Sequence, residues 1–325
     1  MTPPKIYGLI GYPVKHSLSP AMHNAAFKEL KINAEYRLFE VKPEQLEDFL
    51  LKNIEVEDMQ KRKVFTQDIL GFNITIPHKI RAREILEKNF PFKNSKNVVE
   101  VARYYLKLTG AVNTVKRNGG ELEYWNTDAE GFEKSLKADL HKEKSEFMRK
   151  KDTYILLLGC GGAGRAVIAV FGWKNAYLSP KKIYIYDNNK QIAENAYNYV
   201  TKDIDIDNSF KKQLRKKIEI ISKEEIADKI KKCDLLVNAT PIGMKDGDGF
   251  PIDTALLKQN KELSVYDIVY NRETQLVKDA KLFGLAAVNG LGMLLYQGVI
   301  AFEIWTGQKA PVDIMRQALI DGLKK

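Results

Sequence analysis

Short apolar runs alternate with amphipathic stretches from Lys5 onward. The chain predicts a strand at "KIYGLIGY", a helix at "SPAMHNAAFKEL" and a second strand at "AEYRLFEV". A helix "PEQLEDFLLKNI", a buried strand "ILGFNITI" and a third helix "KIRAREILEK" follow. Ser19 before Pro20 is a typical helix start, with the serine as N-cap and the proline at the first helical position. This alternation predicts a sheet covered by helices.

The second part of the chain repeats this alternation after a hairpin, "GAVNTVKRNGGELEYWNTD", which we expect to turn on Asn118-Gly119-Gly120. A polar helical passage runs from Glu130 to Lys151. Six strand candidates follow, separated by helical segments: "TYILLLG", "KIYIYDNN", "KIEIIS", "DLLVNAT", "LSVYDIVY" and "LAAVNG". They predict a parallel, doubly wound sheet of the Rossmann type. The chain ends in two helices, broken at Gly307 and Pro311.

We therefore predict an α/β protein of two domains. Residues 1–127 form the first. Residues 128–289 form the second, which we expect to have the Rossmann-type fold that binds dinucleotides. The helices of residues 290–325 are expected to return to the first domain.

Composition narrows the classes of function. The 325 residues are 44% hydrophobic and 29% charged, which is typical of a globular protein. No apolar run approaches the roughly 18 residues of a membrane span, and the amino terminus lacks a leader pattern, so we expect a cytoplasmic protein. The net charge of +10 suits anionic ligands, but "KKQLRKK" at 211–217 lacks interleaved aromatics and predicts a solvated helix face. We expect neither nucleic acid nor membrane as a partner.

The two cysteines, Cys160 and Cys233, lie in apolar or glycine-rich surroundings. No cluster of cysteine, histidine and acidic residues has the spacing of metal ligands. We expect no disulfide and no metal site.

A glycine-rich loop, "LLLGCGGAGRAV", follows the first strand of the second series. Gly159, Gly161 and Gly164 have the G-x-G-x-x-G spacing, and Gly162 and Ala163 complete the loop. The first glycine permits the turn, the second lets the backbone approach a pyrophosphate, and the third lets the next helix pack close to the strand. The loop predicts a dinucleotide site.

The next strand ends in "YIYDNNK", which places Asp187 28 residues after Gly159. A carboxylate there can bind the adenosine ribose hydroxyls of NAD, and it would repel the 2′-phosphate of NADP. Asp187 also suits a turn residue that caps the following helix. Both roles remain open, because one residue can bind the ribose and cap the helix.

Seven motifs in one order carry a family resemblance: "GYPVKHSLSP", "NITIPHK", "GAVNTV", "NTD", "GCGGAGRA", "NATPIGM" and "GLGMLLYQG". The chain resembles shikimate dehydrogenase, including the quinate/shikimate dehydrogenases, nearly from end to end. The resemblance implies reversible NAD(P)-dependent reduction of 3-dehydroshikimate to shikimate, a step toward aromatic amino acids, in a cleft between two α/β domains.

The resemblance also implies that residues 1–127 form the substrate-binding domain, and it implies which residues bind the substrate. Ser17 and Ser19 would bind the substrate carboxylate, which suits hydroxyls near a helix N-terminus. Ser19 as a simple helix cap, Asn113 as a turn residue and Gln297 as an exposed helix residue are the structural alternatives. The other positions matched to the substrate are polar side chains able to bond ring hydroxyls: Thr75, Asn113, Tyr270 and Gln297.

Lys79 and Asp128 match the family's catalytic pair, and Asp128 also fits a turn residue. Oxidation of a secondary alcohol needs a group that takes the hydroxyl proton, and the reverse reaction needs a donor for the alkoxide. An ammonium can stabilise the alkoxide and give up a proton, while the carboxylate favours the charged lysine. Which of the two formally carries the proton stays open.

The resemblance places Asn238, Thr240 and Gly290 beside the cofactor, with Asp187 and Asn188 at its adenosine end. The family's NADP-using members show Asn-Arg-Thr where this chain has "DNNK" at 187–190, so the arginine for the 2′-phosphate is replaced by Asn188. We therefore expect NAD, with NADP as the alternative. His78 and Ala129 also depart from the family pattern, and we expect His78 to be a packing residue at the rim of the site, its alternative being proton chemistry.

Two other functions compete with shikimate oxidation. An enzyme acting mainly on quinate would need room near Ser17 and Ser19 for one more hydroxyl. A non-catalytic sensor of the same fold would have no reason to keep both Lys79 and Asp128. The sequence leaves the oligomeric state open, with a homodimer as one candidate.

Overall fold

The structure is a computed structural model that describes residues 2–91, 100–172 and 179–324. The chain divides into two compact units. The first unit contains Met1–Leu106, Gly110–Thr127 and Leu295–Lys325. The second contains Lys107–Thr109 and Asp128–Leu294. The functional roles that the sequence assigns to these parts of the chain stay predictions.

The first unit is built on a five-stranded sheet in the order β2-β1-β5-β6-β7. Its seven strands, which include the small separate hairpin of β3 and β4, are β1 (Lys5–Gly11), β2 (Ala34–Glu40), β3 (Glu55–Glu57), β4 (Lys63–Phe65), β5 (Ile69–Ile74), β6 (Thr114–Asn118) and β7 (Glu121–Trp125). Its helices are α1 (Ser19–Glu29), α2 (Leu46–Leu51), α3 (Lys79–Asn89) and most of α4 (Glu100–Thr109), together with helices from the end of the chain.

The central strands of this sheet run parallel. The strand β1 pairs in parallel with β2 and β5, while β6 is antiparallel to both of its neighbours, β5 and β7. Six of the seven residues of β1 are buried, as expected for a strand with both faces covered. The hairpin of β6 and β7 turns after Asn118 through Gly119 and Gly120, which confirms the predicted turn.

The end of the chain packs within the first unit. Trp305 donates from its ring Nε1 to the carbonyl of Val115 at 2.8 Å. A Cβ atom on Gly71 would lie 2.5 Å from the Trp305 ring, so this glycine admits the tryptophan. The last helices are α11 (Leu291–Thr306) and α12 (Val312–Gly322), and α12 packs against α1.

The second unit is a six-stranded parallel sheet in the order β10-β9-β8-β11-β12-β13. Its strands are β8 (Tyr154–Leu158), β9 (Lys182–Tyr186), β10 (Ile218–Ile220), β11 (Leu235–Asn238), β12 (Ser264–Asp267) and β13 (Ala287–Asn289). Its helices are α5 (Thr127–Lys142), α6 (Gly162–Gly172), α7 (Lys190–Asn198), α8 (Asn208–Lys217), α9 (Ile226–Ile230), α10 (Gln275–Leu282) and the start of α11. This strand order is that of the Rossmann fold, and the predicted doubly wound sheet is confirmed.

Three helix predictions need correction. The helix after "NTD" begins at Thr127, three residues before Glu130, and its α-helical part ends at Lys142. Ser19 is the first residue of α1, and Leu18 occupies the cap position without a side-chain hydrogen bond. The segment after β2 contains a 3-10 turn, Pro43–Gln45, and then a short α2, because the backbone is already extended at Lys52.

No helix within the described ranges is long and apolar enough to cross a membrane. Cys160 and Cys233 are buried free thiols. Burial raises the pKa of the Cys160 thiol to about 12, with the Asp187 carboxylate adding to the rise. The thiol of Cys160 therefore stays protonated at neutral pH, as expected of a residue that only fills space.

Candidate active site

Two of the three motif glycines at the turn from β8 into α6 are required by the packing of the protein itself. Gly159 has a positive φ of 88°, and a Cβ there would lie 2.8 Å from the backbone nitrogen of Thr240. A Cβ on Gly164 would lie 2.1 Å from the carbonyl oxygen of Gly159. Any side chain at either position would collide with backbone, which has little freedom to move.

Gly161 differs from Gly159 and Gly164. A Cβ built on it would meet no atom of the described chain within 4 Å, and the residue is exposed. The fold therefore does not require this glycine, whereas a ligand that approaches the backbone would. The helix α6 begins at the next residue, Gly162, and the amides of a helix N-terminus favour an anion. Gly161, Gly162 and Ala163 thus fit the pyrophosphate of a dinucleotide.

Asp187 directly follows β9 and is tied to the glycine loop. Its carboxylate accepts hydrogen bonds from the backbone amides of Cys160 at 2.9 Å and Asn189 at 3.0 Å. The cap of α7 is Asn189, whose side chain accepts from the amide of Gln191. Asp187 therefore holds the turn after β9, as its alternative role predicted. The residue that caps α7, however, is Asn189 and not Asp187. Asp187 thus lies beside the glycine loop, at the adenosine end of the predicted site.

The rest of this turn offers little positive charge. Asn188 is exposed, and its side-chain oxygen accepts a hydrogen bond from the Tyr186 hydroxyl at 2.6 Å. The Lys190 side chain is 82% exposed and pairs with Glu194 on α7 at 3.4 Å. A pair this exposed is weak.

At the end of β11, Asn238 and Thr240 are joined by hydrogen bonds. The Asn238 side-chain oxygen accepts from the Thr240 hydroxyl at 2.7 Å and from its amide at 3.1 Å. The Asn238 side-chain amide donates to the carboxylate of Asp267, which ends β12. Asp267 also accepts from the hydroxyl of Thr274 and the amide of Val269. Burial raises the pKa of Asp267 to about 6, although all three hydrogen bonds oppose the rise.

Gly290 and Tyr270 lie on the same edge of this sheet. The Gly290 amide donates to the carbonyl of Val269 at 3.1 Å, and a Cβ on Gly290 would lie 1.9 Å from the carbonyl oxygen of Ile268. Gly290 is therefore needed for close approach of the chain after β13 to the chain after β12. Tyr270 is partly buried, and burial raises the pKa of its phenol.

In the first unit, Lys79 is the first residue of α3 and is partly buried. Its carbonyl accepts a hydrogen bond from the amide of Val112 at 2.9 Å. A helix N-terminus carries partial positive charge, so α3 itself does not stabilise the ammonium. Thr75 precedes it by four residues, and the Thr75 amide is bonded to the carbonyl of Ile10 on β1. The start of α3 is thus anchored to the central sheet.

The prediction of His78 as a rim residue is wrong. Its side chain is only 2% exposed, and the ring nitrogen Nε2 lies 2.6 Å from the carbonyl oxygen of Val41. Nε2 therefore carries a proton and donates it, which fixes the tautomer. His78 anchors the turn before Lys79 from inside.

Ser17 and Ser19 are neighbours at the start of α1. The Ser17 hydroxyl oxygen accepts a hydrogen bond from the Ser19 amide at 3.2 Å. Ser17 is partly exposed, while Ser19 is 4% exposed. Gln297, on α11, is 7% exposed, and this excludes the alternative of an exposed helix residue.

Asn113 holds the beginning of α5. Its side-chain oxygen accepts from the Thr127 amide at 2.7 Å, and its side-chain nitrogen donates to the Thr127 hydroxyl at 2.9 Å. Thr127 is the first residue of α5, and Asp128, which is 5% exposed, is the second. Asn113 therefore has a structural role beside the hairpin of β6 and β7. Its contacts determine where the helix bearing Asp128 starts.

Buried polar residues that the sequence did not single out connect these positions. Tyr36 on β2 and Asn73 on β5 are bonded to each other, hydroxyl to side-chain oxygen, at 2.8 Å. Asp267 joins Asn238 to Thr274. Asn73 begins the quoted "NITIPHK" motif, and a polar side chain in an otherwise apolar strand was the available signal. Tyr36 carries no signal of this kind, because an aromatic in a strand is ordinary.

Known proteins match the chain over nearly its whole length. The family model described as the shikimate dehydrogenase substrate binding domain matches residues 9–115, and the shikimate 5′-dehydrogenase C-terminal domain matches residues 290–320. A shikimate dehydrogenase (NADP⁺) of Methanocaldococcus jannaschii is 37% identical, covering 99% of this chain and 98% of its own. The chain belongs to the shikimate dehydrogenase family. The predicted class, an NAD(P)-dependent alcohol dehydrogenase, is thereby confirmed.

Other members of the family also match this chain over nearly its whole length. The shikimate dehydrogenase (NADP⁺) of Methanopyrus kandleri is 36% identical over 98% of this chain and 96% of its own. A solved shikimate dehydrogenase in complex with NADP⁺ superposes with a TM-score of 0.74 at 33% identity, covering 99% of this chain and 96% of that one. The Thermus thermophilus enzyme in complex with NADP(H) and shikimate gives a TM-score of 0.70 at 27% identity, with 98% and 99% covered. These names support NADP and do not support the expected preference for NAD.

Proposed function

We propose that this family member interconverts shikimate and 3-dehydroshikimate, a step toward aromatic amino acids. The observation that carries the proposal is similarity to shikimate dehydrogenases along nearly the whole chain. The open side of Gly161 supports a dinucleotide at the second unit. A nicotinamide dinucleotide held there would accept or supply the hydride.

The residues of the first unit bind and orient the substrate. Ser17 and Ser19 receive its carboxylate near the N-terminus of α1, where the helix dipole favours an anion. We assign the ring hydroxyls to Thr75, Asn113 and Gln297. Tyr270, in the second unit, is also assigned to the substrate. The Asn113 side chain is also hydrogen-bonded to the Thr127 amide. In this proposal one residue therefore binds the substrate and sets the start of α5.

Lys79 and Asp128 handle the proton of the reacting hydroxyl. The Lys79 ammonium stabilises negative charge on the oxygen, and Asp128 acts on the same hydroxyl. Asp128 lies in the first turn of α5, an end of a helix that favours a carboxylate. Which of the two residues formally carries the proton is left open.

The cofactor preference is the finer part of the proposal. The names of the relatives support NADP, and residues 187–190 support NAD. The Asp187 carboxylate stands where a 2′-phosphate would be repelled, and the turn contains no arginine. We propose that NAD is used at least as well as NADP.

Steady-state oxidation of shikimate and of quinate, each with NAD and with NADP, tests both parts. We expect the highest kcat/KM for shikimate with NAD. If kcat/KM were highest for shikimate with NADP, the proposed activity would stand and the proposed cofactor preference would be refuted. Quinate dominant would assign the protein to quinate oxidation, and no activity in any pair would refute the proposed function.

Replacing Asn188 by arginine should move the preference toward NADP. The guanidinium would gain a charge-assisted bond to the 2′-phosphate, so the ratio of kcat/KM for NADP to that for NAD should rise roughly tenfold to hundredfold. Asn188→Gln is the control, because it changes size without adding charge. An unchanged ratio in Asn188→Arg would show that the 2′ position lies away from this turn.

A further inference from the structure

Tyr36 contacts two residues of α1. The Asn24 side chain is bonded to the Tyr36 backbone twice, accepting from its amide at 2.7 Å and donating to its carbonyl at 3.1 Å. The His23 ring stacks on the Tyr36 ring with centroids 4.4 Å apart. The ring and backbone of the tyrosine therefore set the position of α1 against β2.

The Tyr36 hydroxyl reaches the other side of the sheet. It donates to the Asn73 side-chain oxygen at 2.8 Å, which fixes the orientation of that amide. The Asn73 nitrogen then donates to the carbonyl of Asn113 at 3.2 Å and to the hydroxyl of Thr114 at 3.0 Å. All four of these residues are buried. A continuous connection thus runs from the Tyr36 hydroxyl through Asn73 to Asn113.

We propose that the Tyr36 hydroxyl is a positioning group for substrate binding. It orients the Asn73 side chain, which in turn holds Asn113 at the hydroxyl-binding end of the site. The inference rests on the proposed function, since it takes Asn113 as a substrate ligand. Tyr36 does not itself touch the substrate; it acts through Asn73.

The hydroxyl is the relevant part of the residue. Burial raises the pKa of the Tyr36 phenol far above its ordinary value, so it remains a donor at every working pH. Burial also lowers the pKa of the stacked His23 to about 3, so that ring stays neutral and its packing does not change with pH. Phenylalanine at position 36 would keep the ring between His23 and Trp305 and remove only the oxygen.

The test compares Tyr36→Phe with Tyr7→Phe. Tyr7 is 5% exposed in the same aromatic cluster, with its ring 5.4 Å from Trp305, and the connection from Tyr36 to Asn113 does not pass through it. We expect Tyr36→Phe to raise the KM and the calorimetric Kd for shikimate about tenfold, since the buried Asn73 side chain loses a partner. Its kcat and its KM for the cofactor should change by less than about threefold. Tyr7→Phe should change none of the four.

A double-mutant cycle with Asn113→Ala checks the coupling. The effects of Tyr36→Phe and Asn113→Ala on the KM for shikimate should be less than additive, because the hydroxyl acts through this asparagine. Strict additivity, or a KM unchanged in Tyr36→Phe, would overturn the inference while leaving the proposed function intact. Wild type inactive on shikimate would instead refute the proposed function.

Thr114→Val is the replacement variant for this test if Tyr36→Phe does not fold. The substitution keeps the shape of a fully buried side chain and removes the acceptor of the Asn73 amide. The same rise in KM for shikimate with a retained kcat is expected. A thermal transition shifted as in Tyr36→Phe but with unchanged KM would mean that the connection only stabilises the fold.

Discussion

Replacing Lys79 by methionine should lower kcat for shikimate oxidation by about 10² to 10⁴, the usual contribution of a positioned proton-transfer group. Methionine keeps most of the length and apolar stem of lysine and loses the ammonium. The developing alkoxide would then lose the positive charge that stabilises it. The dinucleotide site is built from the glycine loop and Asp187, so the Kd for the cofactor should stay within about twofold.

Stopped-flow turnover together with fluorescence titration of the reduced cofactor separates these two quantities. Lys88→Met is the matched control, because it removes the same charge from the exposed last turn of the same helix, α3. It should leave kcat unchanged. If Lys79→Met turned over at close to the wild-type rate, the assignment of Lys79 to the reacting hydroxyl would fail.

Replacing Gly161 by alanine should weaken cofactor binding by roughly tenfold to hundredfold without destabilising the protein. The new methyl group would project into open space in the free protein, since no described atom lies within 4 Å of its position. It would occupy the approach that a pyrophosphate needs. Affinity would fall, and the free energy of unfolding would stay within about 0.5 kcal/mol of wild type.

Gly164→Ala is the opposite case and serves as the control. Its Cβ would be 2.1 Å from the Gly159 carbonyl oxygen, so α6 must move away from the loop. Overpacking against backbone should cost about 1–3 kcal/mol or more of stability. Calorimetric titration with NAD and NADP and denaturant unfolding of both variants measure the difference. Unchanged cofactor affinity in Gly161→Ala would mean that the phosphates do not pass over this glycine.

The pattern of apolar positions predicted most of the second unit. Its strands are short and buried, and each ends at a recognisable loop, so local periodicity identifies them. The glycine spacing placed the turn at Gly159 correctly, because a positive φ and a close helix leave few residue choices. The hairpin at Asn118-Gly119-Gly120 was predictable for the same local reason.

Helix starts were less predictable. Ser19 was expected to cap α1 and instead lies inside its first turn, with its hydroxyl among buried polar groups. The helix α5 begins at Thr127 because Asn113, 14 residues earlier, accepts its amide proton. A residue that far away leaves no mark in the local pattern near "NTD".

The sequence by itself determined the class of fold, the glycine loop, the acidic turn at Asp187 and the membership of the family, since each depends on residues close together in the chain. The tertiary structure alone decided which polar side chains meet. Tyr36 and Asn73 are 37 residues apart, and Asn73 and Thr114 are 41 apart. His78 likewise finds the carbonyl of Val41. Buried polar groups must find partners wherever the fold brings them together, and sequence distance has no bearing on that choice.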